Sequence, residues 1–422
     1  MQVTPRLFIG TTRFSIFEPG SGAWHASNGS SLKSDDEYKA YLFNDDRLSM
    51  RTRIFLEQSL PQIEAAKHGH HVIHVVSYSS DLPEKYQKAL EDATERFPFL
   101  VLDRRYPRGS SMPITRVIQT AVSEHHPDDN VFAMYRLDDD DCLAVSFFDR
   151  AAPYVISEHK GWNVSLGLGL TGIPNSTGYS CVRRLYDAMT GAGLISICQL
   201  RKDGSLETPV GGPHPIVDRT SPVILDSRAV SFFVSRHAGQ DSRIMSSGDL
   251  SQMVSQLEKL PETEPADLAE FPAMSGLLST AAYPGGRIIL RSTKPIELKE
   301  AFTRIDLPQP KRLLYVSMEV SAPRDTKPRN ALISFLLRGP DGAPLSAGAQ
   351  ITGLVWSDYP GIGYYSYIPT NPGVQQFGIK VELPEGVTCA GIALRRWRDP
   401  SIAISITKLR VEDFKEPANQ TK

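Results

Sequence analysis

Four consecutive carboxylates, Asp138, Asp139, Asp140 and Asp141, follow the apolar run 131–135 and the pair Arg136 and Leu137. Adjacent carboxylates repel one another and desolvate poorly, so a crowded acidic turn calls for a cation among them. Mg²⁺ or Mn²⁺ carrying a diphosphate suits such a turn, because these ions take one or two protein carboxylates and fill their shells with phosphate oxygens and water. Alternate residues at a strand end point to one side. That lets Asp138 and Asp140 share one ion while Asp139 and Asp141 point elsewhere. The competing reading is a helix cap: carboxylates are favoured at a helix N-terminus, and 142–156 reads as helix-forming. Four acids behind a buried strand favour the cation.

The elements that must position this turn alternate between strand and helix. Residues 6–17 read as a first strand ending in the polar turn Thr11, Thr12, Arg13 and Phe14, a candidate ligand loop. The Gly- and Ser-rich stretch 20–34 reads as an excursion. Residues 48–63 carry apolar residues at helical spacing and should end near Pro61. A second strand at 71–77, a helix at 84–97, a third strand at 99–103 and a helix at 114–126 complete a rhythm that predicts a parallel sheet. In such sheets ligands gather outside the carboxyl ends of the strands, where the acidic turn falls. Further on, 162–171 reads as a strand, 180–189 as a helix, 211–215 as a Gly- and Pro-rich loop able to approach a ligand, and 229–235 as a late strand delivering Arg236 and His237. A histidine there would complete a metal shell. His68, His70, His71 and His74 lie before and inside the second strand, at the end away from the crevice, and read as packed or solvated.

Composition excludes several classes. At 422 residues the chain exceeds what one core usually serves, so two domains are expected. A net charge of -2 offers no general attraction to nucleic acid. No stretch approaches the roughly 20 apolar residues that span a bilayer, and the N-terminus lacks the regions of a signal peptide. A cytoplasmic protein is expected, which leaves peripheral membrane association open. Cys142, Cys181, Cys198 and Cys389 show no paired spacing and read as small buried residues rather than a zinc site or disulfides.

The stretches TTRFS at 11–15, LPQI at 60–63, VVSYSSDLPEKY at 75–86, RLDDDD at 136–141 and SRHAGQDS at 235–242 resemble the bacterial rhamnosyltransferase family. That family is placed among the type A glycosyltransferases, whose Rossmann-like nucleotide-sugar domain carries a DxD metal motif. The resemblance covers about residues 5–245. It implies that Asp138 and Asp140 hold Mn²⁺ or Mg²⁺ against a sugar-nucleotide diphosphate, with Asp141 as alternative second ligand and His237 as the late metal ligand. Arg13 and Phe14 then meet the nucleotide and Asp81 the base or ribose, with Arg116 near the diphosphate; Thr12 and Asp139 complete this nucleotide-contact set. An inverting transfer also needs a carboxylate to deprotonate the acceptor hydroxyl, and Asp218, just past the 211–215 loop, is the candidate.

Beyond 260 the texture changes. The Pro-rich, acidic stretch 260–272 reads as a linker or a peripheral helical connection, and the linker is placed at 261–285. Short strands recur at 312–320, 331–338, 364–368, 376–383, 388–397 and 402–411, separated by turn residues. Residues 286–422 are therefore expected to form a jelly-roll-like β-sandwich after an α/β catalytic domain at 1–260. Trp356, Tyr359, Tyr364, Tyr365, Tyr367 and Trp397 lie in or beside its strands; most belong to a core, and the remainder offer faces for stacking on sugars. The expected activity is transfer of a sugar from a nucleotide-sugar donor to a glycan acceptor in surface polysaccharide synthesis. Two alternatives stand beside it: a non-catalytic sugar-binding protein with a structural cation, and a nucleotidyltransferase.

Overall fold

Strand β1 (Leu7–Phe14) alternates its side chains between two cores. Phe8 and Phe14 face one, Leu7 and Ile9 the other. A strand buried on both faces belongs in the middle of a covered sheet, and β1 lies there. The computed structural model describes residues 4–18, 34–106, 113–237, 250–292 and 294–414. The expected excursion at 20–34 falls, apart from Ser34, outside them.

Helices α1 (Asp35–Leu42), α2 (Asp45–Ile54) and α3 (Leu60–Ala66) follow β1. Asn44 caps α2, its side chain accepting from the Arg47 backbone N–H. The expected helix end near Pro61 is corrected: the helical run continues to Ala66 through a π-turn, Phe55–Ser59. A proline crowds the preceding turn and lacks a donor, and a widened turn ahead of it absorbs both problems.

Strand β2 (His71–Ser79), α4 (Glu84–Arg96), β3 (Leu100–Arg105), α5 (Ile114–His125) and β4 (Val131–Arg136) come next. The chain then makes β5 (Asp141–Leu143) and only a short α6 (Phe147–Ala151), so the helix expected from 142 is corrected. The apolar run Cys142-Leu143-Ala144 is wholly buried as strand and turn instead. Strands β6 (Asn163–Ser165) and β7 (Leu168–Asn175) replace the single strand expected at 162–171. The helix expected at 180–189 is a strand, β8 (Gly178–Tyr186). Its aromatic and β-branched residues suit a pleated surface, and pairing in a sheet overrides the spacing that suggested a helix. A strand absent from the sequence reading, β9 (Ile195–Leu200), is followed by β10 (Leu206–Glu207), β11 (Val223–Leu225) and β12 (Phe232–Ser235).

The largest sheet runs β11-β6-β9-β4-β1-β2-β3, with β10 beside β9. Its β4-β1-β2-β3 half is parallel, whereas β9 runs antiparallel to both β4 and β6. A second sheet runs β5-β12-β7-β8. The chain divides into two compact units, Met1–Pro174 with Val182–Met253 and Leu260–Leu278, and Asn175–Cys181 with Val254–Lys259 and Ser279–Lys422. Part of the stretch expected as a linker is packed: Phe271 and Met274 are fully buried, and Gln62 of α3 hydrogen-bonds Glu270 and Ala273.

The second unit is β-rich. One antiparallel sheet comprises β13 (Arg287–Ser292), β14 (Ile296–Glu297), β16 (Leu313–Ala322), β20 (Gly373–Glu382) and β22 (Ser405–Asp413). The other comprises β15 (Thr303–Lys311), β17 (Ala331–Arg338), β18 (Val355–Ser357), β19 (Gly363–Ile368) and β21 (Thr388–Arg396). Val316 and Met318 from the first sheet share one core with Ile333 and Phe335 from the second. Of the six aromatics, Tyr364 is buried and Tyr359 is half exposed.

Candidate active site

The parallel strands end in a cavity of about 360 Å³ within the first unit. A buried chain of hydrogen bonds ties the strand ends together beneath it. The Thr12 hydroxyl donates to the Leu137 carbonyl at 2.7 Å, so toward the His74 Nε2, 2.8 Å away, it must accept. His74 therefore carries its proton on Nε2 and accepts at Nδ1 from the Tyr135 hydroxyl at 2.9 Å. Burial alone pushes the His74 imidazole down to about 3, so the ring is neutral. Gly10 makes room for this pair: a Cβ there would lie 2.2 Å from His74 Nδ1.

The chain leaves β4 at Arg136 and turns, with Asp141 N–H bonded to the Asp138 carbonyl at 3.2 Å. Strand alternation therefore does not govern the four acids, and the expected division of Asp138 and Asp140 from Asp139 and Asp141 is corrected. Asp138 is half exposed and pairs with Arg136 at 2.9 Å. Asp139, Asp140 and Asp141 are buried. Arg51, on α2, bridges Asp139 and Asp140, reaching Asp140 Oδ2 at 3.0 Å.

His237 Nε2 lies 2.9 Å from Asp140 Oδ2. This meeting does not arise at the end of a strand in the large sheet. Strand β12 runs antiparallel to β5 with Val234 opposite Asp141, so the residues after Val234 run back along the acidic turn.

The three buried carboxyls respond differently to their neighbours. Burial raises Asp139 to about 6, against the pull of the Arg51 charge. For Asp140 burial also acts upward, but Arg51 and the His237 hydrogen bond hold it below the usual range. Asp141 is pushed well up by burial and by the Asp140 and Asp138 charges. Asp139 Oδ2, Asp141 Oδ1 and His237 Nδ1 are buried with no hydrogen-bond partner among the described residues.

Five arginines, Arg13, Arg47, Arg51, Arg136 and Arg236, face this cavity together with five aspartates, the four of the turn and Asp187. Arg47 is buried and donates to the Ser15 hydroxyl and the Leu42 carbonyl, both at 3.0 Å. A neighbouring recess of about 300 Å³ shares Arg13 and Arg136 and adds Ser77, Asp103 and Arg105. There the buried Asp103 accepts from the Ser77 hydroxyl at 2.7 Å and from Arg105 Nε at 2.8 Å.

A family model described as "Putative rhamnosyl transferase" matches residues 8–247. The chain belongs to that family. All the residues lining the cavity fall inside the matched segment. Among curated proteins nothing matches. One similar solved structure, described as "CBM4 structure and function", is 11% identical over 31% of this chain and 78% of that one; its TM-score of 0.18 is too low to bear on the fold.

Several expected site residues are placed elsewhere. Phe14 is a core side chain packed on Phe55, with no face for a nucleotide. Thr12 lines the recess, but its hydroxyl is spent within the buried chain of bonds. Asp81 pairs with Lys39 at 2.6 Å and lines neither space. Arg116 lies on a separate cavity with His70, His71 and His125. Asp218 is exposed, and the cavity takes His214 from the same 3₁₀ turn instead. Arg13, Asp138, Asp139, Asp140 and Asp141 do line the cavity, and His237 joins them through Asp140. The sequence reading misses Arg47, which precedes the helix expected at 48–63, and Arg51, which lies off that helix's apolar face; their four-residue spacing, which stacks them on one side of α2, was the available signal.

Among the described residues no three His, Cys, Asp or Glu side chains converge on one point able to hold an ion. The donor chemistry fits a sparser site. Asp140 and His237 meet at 2.9 Å, His237 Nδ1 and Asp141 Oδ1 have no hydrogen-bond partner among the described residues, and Mg²⁺ or Mn²⁺ needs few protein ligands when a diphosphate supplies the rest.

Proposed function

We propose that the chain is a nucleotide-sugar-dependent glycosyltransferase with a type A, Rossmann-like catalytic fold, acting in the cytoplasm on a glycan acceptor for surface polysaccharide. Family membership supports glycosyl transfer. The observation that carries the finer reading is the cavity itself, where five guanidinium groups and an acidic turn meet at the ends of parallel strands. Guanidinium groups recognise phosphate oxygens through paired hydrogen bonds. Arg13, Arg136 and Arg236 would hold the diphosphate, and Asp103 with Ser77 would take polar edges of the nucleoside in the adjoining recess.

Asp140 and His237 would hold Mn²⁺ or Mg²⁺, which supplies positive charge to the departing diphosphate. The residues of the chain supply the remainder. Arg51 keeps Asp139 and Asp140 ionised and in place, and the Tyr135–His74–Thr12 chain fixes the strand ends from which the turn projects. In the sandwich, the exposed face of Tyr359 and the half-buried Trp356 border a cavity of about 420 Å³ and would stack on glycan rings.

The test is incubation with a panel of sugar nucleotides and Mn²⁺. Release of nucleoside diphosphate is expected. Release of pyrophosphate from nucleoside triphosphates would instead establish nucleotidyl transfer. Failure of every nucleoside diphosphate to bind in calorimetry with Mn²⁺ would remove the transferase reading.

A further inference from the structure

Building on the transferase reading, we infer that His214 is the base that removes the proton from the acceptor hydroxyl. His214 opens the 3₁₀ turn His214–Arg219, between Pro213 and Pro215, and lines the same cavity as the acidic turn. Its Nδ1 lies 2.7 Å from the Met189 carbonyl oxygen. A carbonyl only accepts, so Nδ1 carries the ring proton and Nε2 of the neutral imidazole presents a bare lone pair. Nε2 has no hydrogen-bond partner among the described residues and faces Gly191, where an added Cβ would stand 3.3 Å from it. Gly191 also lines the cavity, so the lone pair sits beside open space kept clear by the absence of a side chain.

The same peptide fixes a second group. Met189 N–H donates to Asp187 Oδ1 at 3.2 Å while its carbonyl holds His214. Other carboxylates of the cavity are engaged: Asp138 with Arg136, and Asp139 and Asp140 with Arg51, while Asp141 is buried. A base must reach the acceptor with a free lone pair, and the Nδ1 bond to Met189 leaves Nε2 as the atom of His214 that can take a proton beside the cavity.

The step balances without a further reagent. The acceptor O–H proton passes to Nε2 as the acceptor oxygen bonds to the anomeric carbon, and the bond from that carbon to the phosphate oxygen breaks with its electron pair leaving on the nucleoside diphosphate. The imidazolium keeps its Nδ1–H bond to Met189 and returns its proton to water.

The experiment compares wild type, His214→Asn, His214→Ala and Asp187→Asn in the full chain. Asparagine retains a donor for the Met189 carbonyl but no base. His214→Asn should lower kcat for transfer by about 10²–10⁴-fold, with nucleoside-diphosphate affinity and donor KM within about twofold of wild type, and added imidazole should restore transfer to His214→Ala in proportion to its concentration. Near-normal transfer by His214→Asn, loss of nucleotide affinity in that variant, absence of imidazole rescue, or a larger loss in Asp187→Asn would each overturn the assignment. Absence of nucleotide binding by wild type would be a separate failure, that of the transferase reading.

Discussion

Two buried polar clusters lie end to end at the top of the parallel strands, and they differ in how completely they are satisfied. In the Tyr135–His74–Thr12–Leu137 chain every proton and every lone pair that the geometry demands has a partner. In the acidic turn, by contrast, Asp139 Oδ2, Asp141 Oδ1 and His237 Nδ1 are left without one among the described residues. Buried polar groups lacking partners cost stability and persist where something else uses them. The saturated cluster suits a scaffold; the unsaturated one lines the cavity in which we propose that the donor binds. Charge separates them as well: the scaffold is neutral, whereas the turn gathers carboxylates around the guanidinium groups of Arg51 and Arg136.

The comparison breaks most visibly at Asp140. Asp140→Asn should reduce turnover on the order of 10³-fold with only a modest fall in the thermal transition, because the isosteric amide oxygen still accepts a hydrogen bond from Arg51 or His237 although the charge they stabilise is gone. Activity near wild type would take Asp140 out of the site. Arg51→Met attacks the counter-charge and should have the reverse profile. It leaves buried carboxylates uncompensated, a loss of roughly 3–5 kcal/mol in chemical denaturation; an unchanged midpoint would mean that the turn does not depend on Arg51.

On the scaffold side, Gly10→Ala drives a Cβ into the His74–Tyr135 pair and should cost roughly 1–3 kcal/mol. Its nucleotide affinity should fall with the distortion of the strand ends, so an unaffected midpoint would deny the pair its role. A further effect is in pH. His74 is neutral in the fold down to about pH 3, whereas an unfolded histidine titrates near 6.5. Between those values the unfolded chain binds one proton more, so stability rises with pH across the window and is lost as pH falls from 6.5 toward 3. His74→Leu should remove that slope as well as the hydrogen bonds, and an unaltered slope would show that His74 does not carry it.

Much of this arrangement was legible in the sequence where local chemistry agrees with tertiary context. The apolar runs of β1, β2 and β4, the Pro-initiated helices α4 and α5, and the acidic turn itself announce their positions. His237 was legible as the end of a late strand, although the pairing that brings it to Asp140 is antiparallel and belongs to a second sheet. What escaped depends on partners distant in sequence. The spacing in the 180–186 segment suits a helix as well as the edge strand that pairs with β7, and β9 is short enough to pass as loop. Arg51 could not be assigned to Asp139 and Asp140 because 88 residues separate it from the first of them. Asp218 and His214 sit four positions apart in one 3₁₀ turn, and only the fold reveals which faces inward.

The bond between His237 and Asp140 closes a loop of 97 residues. Contacts of that span form late, since the chain between them must be ordered before the ends can meet. During synthesis the acidic turn therefore leaves the ribosome long before the strand that completes it. A nascent chain halted before β12 would carry its carboxylates and Arg51 but not the His237 imidazole, and the pair it forms with Asp140 would arrive only after the last strand of the second sheet. The site thereby reports on the completeness of its own unit.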